Sequence, residues 1–105
     1  MMMKPGVRLT DLCPQMVLAT MVVDRVLSRH GVECVVTSCN DGKHSAASWH
    51  YKGRACDYRS KFDALNGFEI QVRDEIKAAL GDDFDVLIEG VGTDNEHFHV
   101  EYDPK

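Results

Sequence analysis

Nothing in this chain is apolar for long enough to cross a bilayer. Its longest apolar run is far short of the roughly 20 residues a spanning helix needs, so no membrane association is expected. It also lacks basic charge. Twelve Lys and Arg stand against seventeen Asp and Glu, for a net charge of −5, and no cationic stripe is present to track phosphates, which argues against a nucleic-acid partner. The four cysteines include no Cys-x-x-Cys pair, and Cys13, Cys34, Cys39 and Cys56 fit no zinc-ribbon spacing. They are expected to be reduced, small apolar side chains, with a Cys34–Cys39 or other disulfide only if the protein is exported. A signal peptide is not expected either. Lys4 and Arg8 precede the apolar Met16–Val23, but Asp11, Pro14 and Gln15 interrupt the pattern and no small-x-small cleavage site follows. The expectation is a chain that stays in the cytoplasm until released. No internal repeat or low-complexity segment occurs.

What remains is an ordinary globular composition: 105 residues, 44% hydrophobic and 28% charged. That length suits one domain, expected to be a monomer, which buries about two-thirds of its unfolded surface without needing a metal or disulfide to fold. Residues 1–9 read as a flexible lead. Pro14 suits the first turn of a helix, with Thr10 or Asp11 as its cap. Met16, Ala19, Val23, Val26 and Leu27 recur at helical spacing through Arg29, and Gly31 stops the helix. Its front half is apolar almost all round, which assigns it to the core.

Glu33–Thr37 is short and β-branched and reads as a buried strand. Ser38–Tyr51 reads as a long polar loop, of the kind that carries function in small domains. Arg54–Arg59 reads as a second strand, with Ala55 and Asp57 on one face and Cys56 and Tyr58 on the other. Asn66 and Glu69 form a capping-box variant before a helix whose apolar face comprises Leu65, Phe68, Val72, Ile76, Ala79 and Leu80. Gly81 ends it. Asp85–Glu89 is the third strand, Gly90–Asn95 a turn, and His97–Tyr102 the last strand, with Phe98, Val100 and Tyr102 inward and His97, His99 and Glu101 outward. The order α-β-β-α-β-β implies an α+β fold: a small, mainly antiparallel sheet with helices packed against it.

The chain concentrates its unusual chemistry in two places. Asp41–Asp57 carries His44, His50, several serines and Asp57, and Glu96–Glu101 carries His97 and His99 between acids. His30, at a helix C-terminus, reads as structural. A catalytic zinc takes three protein ligands from histidine and carboxylate and keeps a fourth position open. His50 and Asp57 are seven residues apart, with Gly53 between them to turn the chain from loop into strand. A third ligand must come from elsewhere. His97 and His99 lie about 6.6 Å apart along one strand face, so one can bind metal while the other contacts substrate or supports a ligand. Spacing alone leaves open that these histidines merely decorate loops and a strand face.

At this point two motifs carry a resemblance. Ser48-Trp-His50-Tyr-Lys-Gly53-Arg-Ala55-Cys-Asp57 resembles the Ser-x-His-x-x-Gly-x-Ala-x-Asp signature of the D-Ala-D-Ala carboxypeptidase family of metallopeptidases. His97-Phe-His99 resembles that family's C-terminal His-x-His element. The same stretches are similar to the zinc-containing hedgehog signalling domain, including Asp41-Gly42, His44-Ser45 and His50-Tyr51. Both share one α+β fold group, and the resemblance spans Val35–Tyr102, strong at the motifs and weak between them. It implies zinc held by His50, Asp57 and His99, and hydrolysis of a peptide bond in bacterial peptidoglycan stem peptides or cross-links, by a carboxypeptidase or an endolysin-like enzyme acting at the cell wall. Glu96 matches the family's base position and Glu89 is the alternative; His97 would stabilise the oxyanion or bind substrate, and Ser48 would support the loop or a ligand. The other reading it implies is a non-catalytic, zinc-stabilised binding module like the hedgehog domain. The chain departs from the peptidases after Thr37-Ser38, where their arginine is replaced by Cys39-Asn40-Asp41; Lys43, His44 and Arg59 are the residues that could compensate.

Overall fold

The computed structural model describes residues 1–9, 12–39 and 53–104. Helix α1 runs Pro14–Arg29, with Pro14 in its first turn, where the missing amide costs nothing. Cys13 occupies the cap position and makes no side-chain capping bond; its carbonyl instead accepts from the Met16 and Val17 amides at 3.0 and 3.2 Å. Thr10 and Asp11 lie outside the described residues. The helix stops as expected at Gly31, whose φ is +75°. The Gly31 amide bonds to Ser28 O at 3.0 Å and the Val32 amide to Leu27 O at 3.2 Å, the paired arrangement that glycine permits at a helix end. His30 is structural: its Nε2 lies 2.8 Å from Glu75 Oε1 on the second helix. Met16, Ala19, Val23, Val26 and Leu27 are buried, while Val17, Leu18 and Met21 of the same helix are exposed. The helix therefore has an outer apolar face as well as a core face.

Five strands form one sheet: β1 (Met2–Met3), β2 (Val35–Ser38), β3 (Ala55–Arg59), β4 (Phe84–Glu89) and β5 (His97–Tyr102). Their order is β1-β2-β3-β5-β4, parallel at the first pair and antiparallel elsewhere. This is the expected α+β class. Strand β1 corrects the expectation of a flexible lead. The Met2 amide bonds to Cys34 O and the Lys4 amide to Val36 O, each at 2.8 Å. The open edge of β2 recruits these residues through backbone groups alone, and their side chains stay exposed, so no hydrophobic alternation marks them in the sequence.

Helix α2 runs Glu69–Leu80 and follows a single 3-10 turn, Asp63–Leu65. Asn66 does not cap it. Asn66 closes the 3-10 turn, Phe68 is the cap residue, and Glu69 Oε1 accepts from the Gly67 amide at 3.0 Å. The capping-box pairing is thereby displaced by one residue. The buried stripe is also narrower than expected: Leu65, Val72 and Ile76 are buried, but Phe68 and Ala79 are exposed, Phe68 because it precedes the helical phase. Both helices contact the sheet and each other. Tyr58, Cys56, Phe98, Val100 and Val86 meet Met16, Leu27, Val72 and Ile76 in one core. The Tyr58 hydroxyl lies 2.7 Å from Thr20 Oγ1. Thr20 donates its own proton to Met16 O at 2.9 Å, so Tyr58 is the donor to Thr20.

Cysteine provides the other correction. Cys39 and Cys56 are bonded to each other, while Cys13 and Cys34 are free thiols. The Ser38–Asp57 pairing of β2 with β3 brings Cys39 against Cys56 with a Cα separation of 4.4 Å, within the range a disulfide requires. The Cys34–Cys39 pairing is geometrically closed, because five residues of extended chain put them about 16 Å apart. Cys34 is fully buried, and burial pushes its thiol up to about 12. Among the described residues, no helix is long and apolar enough to cross a membrane.

Candidate metal centre

Strand β5 lies between β3 and β4, and that position builds the site. Side chains alternate across a strand. With Phe98 and Val100 committed to the helices, His97, His99 and Glu101 project from the opposite face. Pairing sets Asp57 across from His99 and Arg59 across from His97 on the β3 side, and Glu89 across from His97 on the β4 side. Two histidines are thus flanked by a carboxylate from each neighbouring strand.

The resulting contacts are close. His99 Nδ1 lies 2.8 Å from Asp57 Oδ1 and His99 Nε2 lies 2.7 Å from Glu101 Oε1. His97 Nε2 lies 3.0 Å from Glu89 Oε1 and 3.6 Å from Asp57 Oδ1, and His99 Nδ1 lies 3.7 Å from Glu89 Oε1. His97 Nδ1 lies 2.7 Å from the Asn95 carbonyl, which can only accept. The ring therefore carries a proton on Nδ1, and Nε2 is the nitrogen turned toward the carboxylates. Burial of His99 opposes its charged form, but hydrogen bonds to Asp57 and Glu101 and the charges of Asp57 and Glu89 outweigh it. They push the imidazole up to about 9.

The donor atoms of this set lie close together. Tetrahedral zinc with bonds of about 2.0–2.2 Å separates its ligand atoms by roughly 3.3–3.6 Å. His97 Nε2 lies 3.6 and 3.0 Å from Asp57 Oδ1 and Glu89 Oε1, and His99 Nδ1 lies 2.8 and 3.7 Å from the same two oxygens. Asp57, Glu89 and His97 are among the described groups whose ligand atoms cluster closely enough to hold an ion. Three carboxylates around two imidazoles also make a strongly negative field, the same field that holds the proton on His99.

Compared with known proteins, the chain matches no family model, no curated protein and no solved structure.

Of the site residues expected from sequence, the structure brings together Asp57, His97, His99 and Glu89. His50, Ser48, His44 and Lys43 lie outside the described residues. Glu96 stands elsewhere: it precedes β5, and its Oε2 accepts from the hydroxyl of buried Ser60 at 3.0 Å. The turn before it is tightly determined. Thr93 Oγ1 donates to Gly90 O at 2.7 Å and accepts from the Asn95 amide at 3.1 Å. Gly90 adopts a φ of +67°, and a Cβ there would meet Asn95 O at 2.9 Å. Arg59 is exposed on the Asp57 face of β3. Sequence reasoning gave Glu101 no role, yet it holds His99 Nε2 and so fixes the ring with Nδ1 toward Asp57. The alternation His97-x-His99-x-Glu101 carries that signal, since all three must share one face.

Proposed function

We propose that this chain is a zinc-dependent peptidase acting on bacterial cell-wall stem peptides, with Asp57 and His99 as metal ligands, His50 as the third, and Glu89 as general base. The observation that carries the reading is the convergence of His97 and His99 on Asp57 and Glu89 from three adjacent strands, each histidine nitrogen within 2.8 to 3.7 Å of both carboxylates. The peptide-hydrolase class comes from the resemblance of the two motifs. Zinc, when bound, supplies Lewis acidity that polarises the scissile carbonyl and brings a water's pKa toward neutrality. Glu89 is suited to take the proton from the attacking water and return it to the leaving amine. Its carboxylate lies against both histidines, and its side chain is 47% exposed, open to substrate. His97, its Nδ1 held by the Asn95 carbonyl, is placed to donate from Nε2 to the developing oxyanion. Glu96 is the weaker base candidate because its carboxylate is bonded to Ser60. Glu101 orients His99.

Metal analysis tests the first half: about one zinc per chain is expected, lost in Asp57→Ala. Turnover tests the second. Glu89→Gln should lower release of amino acid or loss of cross-links from purified peptidoglycan by about 10²–10⁴-fold with zinc retained, while Glu96→Gln should change it far less. The opposite ranking moves the base to Glu96. A wild type that holds zinc and cleaves no stem peptide is the zinc-stabilised binding module instead.

A further inference from the structure

On the helix side of the sheet, away from the histidine cluster, an apolar surface is left uncovered by the core. Met1, Met3, Leu9, Val17, Leu18 and Met21 are each 44 to 63% exposed. Five of these six meet at an apolar hollow of about 130 Å³ between β1 and α1. Leu18 stands beside Val17 and one turn before Met21. Single apolar side chains are ordinary on a surface, but a contiguous patch marks an interaction site. The N-terminal part of this patch is held in place. Its backbone is bonded to β2, and the terminal ammonium lies 3.5 Å from Glu33 Oε1 and 3.8 Å from Asp24 Oδ1. Side chains alternate along this extended segment: Met1 and Met3 line the hollow, whereas Lys4 lines a depression with His97 on the opposite face of the sheet.

Charge selects the occupant. Residues 1–32 carry four Lys and Arg against two acids, while residues 33–105 carry eight against fifteen. The apolar patch therefore belongs to the one basic part of an acidic protein. Arg25 and Arg29 are exposed and continue the outer face of α1, one and two turns beyond Met21. Asp24 and Glu33, the acids beside the patch, are the ones engaged by the amino terminus. A second copy joining through the same face would set two basic surfaces against each other, which costs energy. An anionic lipid surface answers both features: its headgroups attract the arginines and its acyl boundary takes the methionine, leucine and valine side chains. Flexible methionines suit such an irregular contact. Among the described residues no helix is long and apolar enough to cross a bilayer, so the contact is adsorption to the surface and not a span. We propose that the face formed by β1 and the outer side of α1 docks on an anionic lipid surface. His97, His99 and Glu101 project from the other side of the sheet, so a chain held this way turns its polar face away from the bilayer. The docking does not depend on the peptidase reading above; if that reading holds, it points the metal centre toward the wall.

The test measures co-sedimentation of the full-length protein with vesicles of phosphatidylglycerol and, separately, of phosphatidylcholine. A basic residue near an anionic surface strengthens partitioning about fivefold, so binding to phosphatidylglycerol is expected to be at least about 10-fold the stronger, and to weaken in high salt. Arg25→Gln with Arg29→Gln should remove most of that preference. Leu18→Gln with Met21→Gln should weaken binding to phosphatidylglycerol by at least about 10-fold. All four side chains are exposed, so unfolding in urea should hardly change. Orientation is read on the wild type by peroxide oxidation of methionine. Phosphatidylglycerol vesicles should slow sulfoxide formation at Met1, Met3 and Met21 and leave Met2, which alternates to the other face, more reactive; buried Met16 is the unreactive reference. Equal partitioning to the two lipids, or binding that survives Leu18→Gln with Met21→Gln, overturns the proposal, and protection of Met2 equal to that of Met1 and Met3 overturns the orientation. A lipid-independent dimer that is lost in Leu18→Gln with Met21→Gln, with no binding to either vesicle, gives the face to a second copy and overturns the lipid surface. Vesicle binding by a protein that cleaves no stem peptide upholds the docking and sinks only the peptidase.

Discussion

On β5 the even-numbered Phe98 and Val100 are wholly buried against the helices, whereas the odd-numbered His97, His99 and Glu101 meet carboxylates and histidines from the same and neighbouring strands. The two faces share one backbone and the same sheet pairings. One gains stability through apolar surface removed from water. The other gathers three carboxylates and two imidazoles within hydrogen-bonding distance, an arrangement with no apolar gain and a strongly negative field. Apart from the exposed Glu89 its members are largely shielded, with His99 at 8%, so solvent screens that field weakly around them. A helix-side face that overdetermines the strand positions allows the other to hold groups that repel one another.

The sharpest way to break this comparison is to remove one side chain from each face. Phe98 packs beside Tyr58 and Ile88, its cross-strand neighbours, and is fully buried. Phe98→Ala should cost about 3–5 kcal/mol of unfolding free energy through lost burial and a residual cavity. The adjacent His97→Ala should cost under about 1 kcal/mol, because its partners Glu89 and Asp57 keep access to water or to His99. Urea denaturation of both variants in chelator decides it. Equal losses would mean that the two faces contribute alike.

The polar face should reveal itself through pH. In the zinc-free protein His99 has its pKa raised from 6.5 to about 9. The folded state therefore binds a proton that the unfolded chain releases above its ordinary value. The resulting stability is fully present below about pH 6.5 and is lost as pH rises through about 9. The expected loss is roughly 3 kcal/mol, taking 1.36 kcal/mol per pK unit. Cys34, raised from 9.0 to about 12, acts in the same direction only above pH 9, so measurements stop there. Unfolding free energy in chelator at pH 6, 7.5 and 9 should fall steadily, and His99→Gln should flatten the slope. An unchanged slope in His99→Gln would show that another group carries it.

Much of this architecture was legible in the residues. The 3.6-residue recurrence from Met16 to Leu27 and the Gly31 stop define α1, and alternation in His97–Tyr102 separates the buried from the polar face. Those patterns are readable because burial enforces periodicity. Strand β1 was not, since two exposed methionines paired only through backbone atoms leave no side-chain period. The Cys39–Cys56 bond was not, because disulfide connectivity depends on the register between β2 and β3, which no local pattern encodes. The displaced Asn66 cap shows the same limit at one-residue scale. In the site, Asp57, His97 and His99 were singled out by the resemblance of the two motifs, but weighing Glu89 against Glu96 needed the β4–β5 pairing. Glu89 enters the cluster because it stands opposite His97, while Glu96 lies before the strand begins and is drawn to Ser60.

The smallest expected effect is also the most specific test of the polar face. Glu101 contributes no atom to the ring of Asp57, Glu89, His97 and His99, yet its Oε1 lies 2.7 Å from His99 Nε2. A carboxylate at that nitrogen fixes the ring orientation and raises the basicity of Nδ1. Glu101→Gln keeps the shape and can still accept a hydrogen bond through its amide oxygen, but it removes the charge. Zinc affinity measured by competition with a chelator should fall about 10–100-fold, without a matching loss of unfolding free energy in the zinc-free protein beyond the His99 contribution. The control lies on the same strand: Val100→Ala should lower stability while leaving the affinity of the folded protein for zinc nearly unchanged. If the two substitutions shift zinc affinity equally, the two faces of β5 are one mechanical unit, and Glu101 acts through packing instead of through His99.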